Sequence, residues 1–156
     1  EATGQYDAVA RTYTLSFKQS LKAHPKYPNL KAVPIPVALA LFDAATGEQL
    51  VLSSDALFEN NVKDGMYLFD TDEATIVFTG IQAKPIASLL RNFSAPVNLE
   101  FNYSDKELAF LLQYETNGFN QWQATQILLE RILLDGHDAQ VYLNHCQRST
   151  LSLTFV

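Results

Sequence analysis

From residue 8 to about residue 103, apolar and polar positions alternate with a period of two over short runs separated by turn signals, a pattern typical of half-buried strands. In the first run, Tyr13, Leu15 and Phe17 share one face. The candidate strands are residues 11–18, 34–42, 49–52, 66–70, 74–78, 87–92 and 97–103. This arrangement predicts a two-sheet antiparallel β-sandwich over residues 8–103. Residues 1–7 are predicted to be a linker.

Proline and glycine mark the turns of this region. Pro34 and Pro36 cannot donate a backbone hydrogen bond, which suits the start of a strand or a sheet edge. Residues 45–47 contain Gly47 and predict a hairpin between the second and third candidate strands. With a single cysteine and therefore no Cys…Trp…Cys spacing, a disulfide-pinned immunoglobulin domain is excluded. A sandwich of immunoglobulin-like shape remains the prediction.

The pattern changes to helical spacing after residue 103. Ser104 and Glu107 form a capping box, in which each side chain satisfies the other residue's backbone N–H. Asn117 and Gly118 favour the left-handed backbone that ends a helix, and residues 120–123 repeat the pattern of a helix start. Helices over 105–115 and 121–134, joined by a short loop, predict an αα-hairpin. Residues 104–156 are therefore read as the truncated start of a helical domain, with 135–156 unassigned.

Composition bounds the class of protein without naming a function. Of 156 residues, 47% are hydrophobic and 18% charged, and 17 acidic against 11 basic residues give a net charge of −6. The acidic balance disfavours nucleic acid and membrane as partners, since both select clustered Lys and Arg. The lone Cys146, with no secretion signal in view, leads us to expect a cytoplasmic location. The absence of an initial Met leads us to expect a piece excised from a longer polypeptide.

No established catalytic motif occurs in the sequence. His-Glu-x-x-His, Cys-x-x-Cys, a P-loop, Gly-x-Gly-x-x-Gly and Gly-x-Ser-x-Gly are all missing. His137 and His145 are eight residues apart and Cys146 follows, so a soft metal site is one hypothesis, against two exposed histidines near a chain end. His24 lies in a predicted loop. We therefore predict no catalytic, cofactor-binding or metal-binding residue in this chain.

Other polar and aromatic groups are more simply explained by structure. Asp70, Asp72 and Glu73 lack the frame of a calcium loop and predict a tight polar turn between two strands. Trp122 is expected to anchor its helix to a neighbour. The Asn-x-Ser sequons at Asn92 and Asn102 lie on candidate strands and are treated as chance. The aromatic residues at alternating strand positions are predicted to lie in the core: Tyr13, Phe17, Phe78, Phe101 and Tyr103.

One long segment resembles a known family. Residues 84–111, and above all Pro-x-x-Ser-Leu-Leu-Arg-x-Phe-Ser-Ala-Pro-Val at 85–97 followed by Tyr-Ser-Asp at 103–105, resemble the bacterial aminopeptidase N family of zinc metallopeptidases. The similar region in that family joins an immunoglobulin-like third domain to a helical fourth domain. Residues 117–124, 11–19 and 34–43 add weaker similarity. The resemblance covers roughly residues 8–134.

The resemblance implies an architecture but no active site in this chain. The family removes N-terminal residues from peptides with zinc held by His-Glu-x-x-His and a distant Glu, and binds the substrate amine through Gly-x-Met-Glu-Asn. Neither motif occurs in this sequence. The implied role is a spacer whose partners are the catalytic and helical domains of the parent chain, with zinc as the parent's cofactor.

Three hypotheses therefore remain. The first is a catalytically silent part of a zinc aminopeptidase, whose incomplete helical region leaves Leu112, Leu129 and Leu133 short of partners, so that residues 105–156 self-associate. The second is a free-standing sandwich that binds a peptide or a carbohydrate through an edge or an aromatic patch. The third is an independent metal-binding protein that uses His137, His145 and Cys146.

Overall fold

The computed structural model describes residues 1–21, 31–51 and 62–134. The chain divides into two compact units, Glu1–Asn102 and Tyr103–Val156, and each is described by itself below. The histidines and the cysteine of the metal hypothesis lie outside the described residues, as does His24.

The described part of the first unit holds two antiparallel sheets. Its strands are β1 (Ala2–Asp7), β2 (Thr12–Lys18), β3 (Ile35–Phe42), β4 (Val62–Lys63), β5 (Met66–Phe69), β6 (Glu73–Thr79) and β7 (Ile86–Leu89). The first sheet has the order β1-β2-β6 and the second the order β4-β5-β3-β7. The predicted immunoglobulin-like antiparallel sandwich is confirmed.

The inner faces of the two sheets build one apolar core. Leu15 and Ile76 face inward from the first sheet, Leu39 and Leu41 from the second, and all four are almost fully buried. These residues occupy every second strand position, as the period-two pattern requires. Tyr13, Phe17 and Phe78 lie in the same core, as predicted, and Phe101 packs against it while partly exposed.

The first residues of the chain are not a linker, and that prediction is wrong. Ala2–Asp7 forms β1 and pairs along its whole length with β2. The inward positions of β1 are Ala2, Gly4 and Tyr6, so two of the three carry little or no side chain. A Cβ placed on Gly4 would overlap the Tyr13 hydroxyl. β1 shows no apolar alternation in the sequence, because the Tyr13 ring of the neighbouring strand occupies the space where a side chain at position 4 would lie.

Pro34 directly before β3 and Pro36 at its second position behave as expected of a strand start. The N–H of Leu39 donates to Gly65 O at 2.8 Å, on the β5 side, whereas the N–H of Ala38 points to the opposite side. Pro36 shares the parity of Ala38, and β7 pairs with β3 only from Leu39 onward. The N–H that Pro36 lacks is therefore not needed by the ladder.

Two of the predicted strands are not formed as predicted. Residues 97–103 contain no strand: Leu99 and Phe101 pack against the core, while Val97 is 38% exposed. Ala2 N–H donates to Glu100 O at 2.8 Å, but no ladder follows. Of the segment 49–52, the described residues contribute only an isolated bridge between Phe42 and Gln49.

The described part of the second unit is a pair of helices, α1 (Asp105–Tyr114) and α2 (Gly118–Leu134). The capping box of Ser104 and Glu107 is present as predicted. Gln121 Nε2 donates to Leu112 O at 2.7 Å, joining the start of α2 to the end of α1, so the helices form the predicted αα-hairpin. Among the described residues, neither helix combines the length and the apolar content needed to span a bilayer.

The boundary between the helices differs from the prediction. α1 ends at Tyr114, and Glu115, which follows it, has an extended backbone. Gly118 is not among the residues with positive φ. Asn117 instead precedes α2, where its side-chain oxygen accepts from Asn120 N at 3.2 Å. Because Asn favours both helix ends, the pair Asn117-Gly118 was assigned to the wrong helix.

Candidate functional site

One end of the sandwich is held together by the side chain of Gln19. Its Nε2 donates to Thr71 O at 2.7 Å and to Val33 O at 3.2 Å, and its Oε1 accepts from Val33 N at 3.1 Å. The Gln19 backbone N–H donates to Asp72 O at 2.9 Å. One half-buried amide thus ties the end of β2 to the β5–β6 turn and to the segment before β3.

The acidic turn beside Gln19 connects two strands, as predicted. It lies between β5 and β6, and Thr71 Oγ1 donates to Glu73 O at 2.8 Å. Lys18 Nζ donates to Glu73 Oε1 at 2.7 Å. This hydrogen bond and the charge of the ammonium lower the pKa of Glu73, and the same contacts raise the pKa of Lys18. Both groups are exposed, so the pair contributes little to stability.

A groove of about 410 Å³ opens next to this end of the sandwich. Its floor is apolar and includes Phe17, Ile35, Phe69 and Leu90, while Lys18 and Gln19 are among its polar lining residues. A mostly apolar concavity with few polar groups is the usual form of a small-ligand or peptide site. It is the described feature that best fits the binding-module hypothesis.

The second unusual feature of the first unit is the turn after β7, which we call the Phe93 turn (residues 90–96). Leu90, Asn92 and Phe93 have φ of 53°, 57° and 53°. For a bulky residue such left-handed backbone costs about 1–2 kcal/mol, whereas asparagine tolerates it better. Leu90 lies in the core, but Phe93 is 55% exposed.

Two contacts fix the Phe93 turn to the second sheet, and one of its residues is buried in the core. Ser94 Oγ accepts from Ala38 N at 3.0 Å, on the side of β3 that β7 leaves open. The Arg91 guanidinium lies 6.0 Å from the centre of the Phe42 ring, within cation–π range. Ala95 is buried in the same core as Leu90. The turn is therefore anchored at both ends.

In the second unit, Arg131 bridges the two helices. Its Nη1 donates to Tyr103 O at 2.8 Å and to Asp105 Oδ1 at 2.9 Å. The side chains of Arg131 and Asp105 are 26% and 23% exposed, so the ion pair is largely shielded from water. This contact joins the end of α2 to the start of α1.

The loop between the helices contains a buried carboxylate. Glu115 is 4% exposed, and its Oε1 accepts from Asn117 N at 2.7 Å. The acid thus satisfies a backbone donor just before the N-terminus of α2, where a negative charge is also favoured by the helix dipole. This position gives Glu115 a structural role, because its side chain closes the loop between the two helices.

Among residues 1–21, 31–51 and 62–134, no group of three or more His, Cys, Asp or Glu side chains lies close enough together to hold one metal ion. Trp122, the expected anchor, is 58% exposed and contacts Phe119 at 5.9 Å between ring centres. Tyr103, predicted for the core, is partly exposed.

The residues that organise these sites have little or no local signal in the sequence. Gln19 and Arg131 donate hydrogen bonds to backbone carbonyls of residues distant in the sequence. Such contacts leave no local signal in the sequence. Arg131 does carry a weak one, since it lies on the same helical stripe as the buried residues Ala124 and Leu128. The predicted strand 87–92 extends past Leu90, whereas β7 ends at Leu89 and Leu90 has a left-handed backbone.

The two antiparallel sheets and their strand orders define a class: an immunoglobulin-like domain. The chain belongs to the family described as "Domain of unknown function (DUF3458) Ig-like fold", whose model matches residues 1–102. The matched segment ends where the first compact unit ends.

Similar proteins confirm the resemblance drawn from residues 85–105. The chain is 34% identical to Aminopeptidase N of Escherichia coli (strain K12) over 124 residues, which are 80% of this chain and 14% of that protein. It is 32% identical to Aminopeptidase N of Haemophilus influenzae over 130 residues, 82% of this chain and 14% of that protein. The chain thus spans about one seventh of the length of these relatives.

A solved structure shares the fold of nearly the whole chain. It is the crystal structure of Legionella pneumophila aminopeptidase A in complex with aspartic acid, with a TM-score of 0.71 and 25% sequence identity. The match covers 94% of this chain and 16% of that one. Both the sandwich and the hairpin therefore have counterparts within a much longer protein.

Proposed function

We propose that this chain is a non-catalytic spacer region of a zinc-dependent aminopeptidase that removes N-terminal residues from peptides. The observation that carries the proposal is the 34% identity to Aminopeptidase N over 80% of this chain. Because the similarity reaches past residue 102, it includes the hairpin as well as the immunoglobulin-like unit. A region that supplies no catalytic motif contributes by holding other regions in place.

In this proposal zinc and the catalytic residues belong to other parts of the parent chain. The sequence contains neither His-Glu-x-x-His nor Gly-x-Met-Glu-Asn, the motifs that hold zinc and the substrate amine in the resembling family. A cytoplasmic location of the parent is part of the same proposal, supported by the single cysteine. Fractionation of cells that express the parent, with the chain detected by antibody, tests that location.

The catalytic part of the proposal is tested with the isolated chain and with the polypeptide that contains it in the genome. The measurements are zinc content and hydrolysis of an alanyl chromogenic amide. We expect turnover and stoichiometric zinc in the parent and neither in the isolated chain. Stoichiometric zinc together with turnover by the isolated chain overturns the proposal, as does a parent gene without a metallopeptidase motif.

The spacer role needs a test of its own, since an inactive fragment is not automatically a spacer. Leu15 is completely buried in the sandwich core, so Leu15→Ala in the parent loosens this unit without touching zinc ligands. We expect the variant to lose activity on warming earlier than the wild type while retaining its zinc. The matched control is Val9→Ala, because Val9 is 96% exposed in the same unit. Equal inactivation of Leu15→Ala and wild-type parent contradicts the role.

The hairpin carries a surface that fits the same proposal. α2 buries Asn120, Ala124 and Leu128 on one side. A second apolar row at helical spacing runs along the opposite side: Phe119, Trp122, Leu129 and Leu133, of which Trp122 is 58% and Leu133 78% exposed. A helix that is apolar on two opposite sides normally packs between neighbours. The remaining helical region of the parent is the proposed neighbour, and in the isolated chain a second copy takes its place.

The second candidate is a binding module, and the groove of about 410 Å³ beside Gln19 favours it. An apolar floor that includes Phe17, Ile35 and Phe69 suits an apolar peptide side chain more than a carbohydrate. A pool of short peptides with apolar side chains, titrated calorimetrically, tests this candidate. Saturable binding that Ile35→Asp abolishes supports it, and no heat of binding at millimolar peptide dismisses it.

A further inference from the structure

Residues 97–101 lie beside the start of β1 without forming a ladder with it. Their side chains alternate as in an extended strand, because Leu99 and Phe101 pack against the core while Glu100 between them is exposed. Ala2 N–H donates to Glu100 O at 2.8 Å, so the backbone groups of Glu100 face β1. Neighbouring residues of an extended chain direct their backbone groups to opposite sides. The N–H and C=O of Leu99 therefore face away from β1.

The backbone of Leu99 is available to a ligand. Within residues 1–21, 31–51 and 62–134, no hydrogen bond is formed by its N–H or by its C=O. Leu99 also lines the groove of about 410 Å³. One residue thus presents a backbone donor and a backbone acceptor beside an apolar concavity, and such groups pair with the backbone of an added extended segment.

The groove offers a place for one apolar side chain next to that backbone. Phe17, Ile35 and Phe69 belong to its floor, and the half-exposed Leu21 and Val33 also line it. Extended peptides are recognised by this combination, since main-chain hydrogen bonds provide affinity and a pocket for a side chain provides specificity.

The rim of the groove adds a negative charge. Lys18 Nζ donates to Glu73 Oε1 at 2.7 Å, and the α-ammonium of Glu1 donates to Lys18 O at 2.9 Å. Glu100 also lines the groove and is exposed, and in the described part of the chain its carboxylate has no cationic partner. A cationic group beside the apolar side chain of the ligand therefore complements the groove.

We propose that the groove and the backbone of Leu99 together bind an extended peptide in which an apolar residue is next to a lysine or an arginine. The apolar residue exchanges both backbone hydrogen bonds with Leu99, so its side chain lies on the same face as that of Leu99 and enters the groove. Its cationic neighbour lies on the outer face with Glu100. This inference rests on the binding-module candidate, whose ligand it specifies, and is independent of the spacer role.

Calorimetric titration of the chain with short capped peptides tests the proposal. The probe is acetyl-Ala-Lys-Leu-Ala-amide, for which we expect saturable binding. Methylation of the leucine nitrogen removes the donor to the Leu99 carbonyl and should weaken binding at least about fivefold. Replacement of the leucine by serine should weaken it at least about tenfold. A methylated peptide that binds equally well overturns the proposal, as does leucine amide alone with the affinity of the peptide.

A variant of the chain locates the site. Val33 is 45% exposed and lines the groove, so Val33→Asp places a charge there without entering the core and should weaken binding at least about tenfold. The matched control is Leu68→Asp, at a residue that is 52% exposed and does not line the groove. It should bind the peptide as the wild type does. Equal affinities of the two variants overturn the site.

The charge of the rim is tested with two peptides. Glu100→Gln should weaken the lysine peptide about two- to fivefold and leave a peptide with glutamine in place of lysine unchanged. Glu48→Gln, at an exposed carboxylate outside the groove, should affect neither peptide. An equal effect of Glu100→Gln on both peptides contradicts the position of the cation and overturns the proposal.

The outcomes separate this inference from the proposed functions. Saturable binding that ignores both methylation of the peptide and Glu100→Gln overturns the inference and leaves the binding-module candidate standing. An absence of heat with every peptide dismisses both. Neither result affects the spacer role, which is tested by the zinc content and the activity of the parent.

Discussion

Gly4 decides how closely β1 approaches the ring of Tyr13. A Cβ at this position would overlap the Tyr13 hydroxyl and lie 2.8 Å from Cζ of the same ring. Because Tyr13 is 2% exposed, the ring cannot simply swing into water. We expect Gly4→Ala to lower the free energy of unfolding by about 1–3 kcal/mol, measured by urea denaturation. Thr3→Ala, at an exposed neighbour, should be close to neutral, and an equally stable Gly4→Ala variant contradicts the packing.

Arg131 is the corresponding single residue of the hairpin. One guanidinium nitrogen serves both Tyr103 O and Asp105 Oδ1. Arg131→Met keeps the apolar stem and removes the charged hydrogen bonds, so we expect the helices to lose about 1–3 kcal/mol of stability. Helical circular dichroism during urea denaturation measures the change. Lys106→Met, at an exposed residue of α1, is the control, and equal midpoints for the two variants argue against the bridge.

The ion pair of Lys18 and Glu73 predicts a pH dependence with a defined sign. The pKa of Glu73 is lowered from 4.5, so its contribution is present above that pH and is lost as the pH falls through the folded value. The pKa of Lys18 is raised from 10.5, so its contribution is present below that pH and is lost as the pH rises further.

Lys18→Met should therefore differ from wild type by a small, constant amount between about pH 6 and pH 9. The difference between the two denaturation midpoints should shrink at acidic and at strongly alkaline pH. Lys31→Met, another exposed lysine, should show no such profile. A difference that grows on acidification contradicts the assignment.

At the scale of elements, the start of α1 depends on a reciprocal pair of bonds. Ser104 Oγ accepts from Glu107 N at 3.3 Å, and Ser104 N donates to Glu107 Oε2 at 2.8 Å. Ser104→Ala removes one of them, and we expect a loss of about 0.5–2 kcal/mol. Ser104→Asp should restore most of it, because Asp also caps helices. The measurement is the midpoint of thermal unfolding at the helical dichroism band.

The elements that were predicted correctly are those whose signal is local. β2 and β6 alternate apolar residues over one buried face, and the capping box lies within four consecutive residues, so both are visible in the sequence. β1 was missed because Tyr13 of the neighbouring strand covers Gly4. The predicted strand at 97–103 has the right alternation, and Ala2 N–H of β1 donates to Glu100 O, but among the described residues no ladder forms there.

The candidate sites could be predicted only in part. Composition and motifs predicted a chain without recognised catalytic motifs, and the resemblance at residues 85–105 pointed to the aminopeptidase relatives. The groove, the Gln19 bonds and the Phe93 turn depend on residues brought together from distant parts of the chain. The residues adjacent to a position in the sequence do not predict such contacts, because these contacts arise when the two sheets pack together.

At the scale of the whole molecule, the second apolar row of α2 predicts how the isolated chain behaves in solution. Trp122 and Leu133 are the most exposed of that row, so we expect reversible self-association at micromolar concentration. Sedimentation velocity measures it. Trp122→Gln combined with Leu133→Gln should shift the chain to monomer, while Val9→Gln should not. A wild-type chain that stays monomeric throughout this range excludes the association.

The bond from Ala38 N–H to Ser94 Oγ also affects whether molecules of this chain aggregate edge to edge. A backbone donor on an uncovered strand can recruit a strand from another molecule, which is how fibrils begin to grow. β7 ends before it reaches Ala38, and the serine hydroxyl takes up the donor that the ladder leaves behind. The second sheet is thus closed at this point by a side chain instead of a strand, so fibril growth has no starting place there.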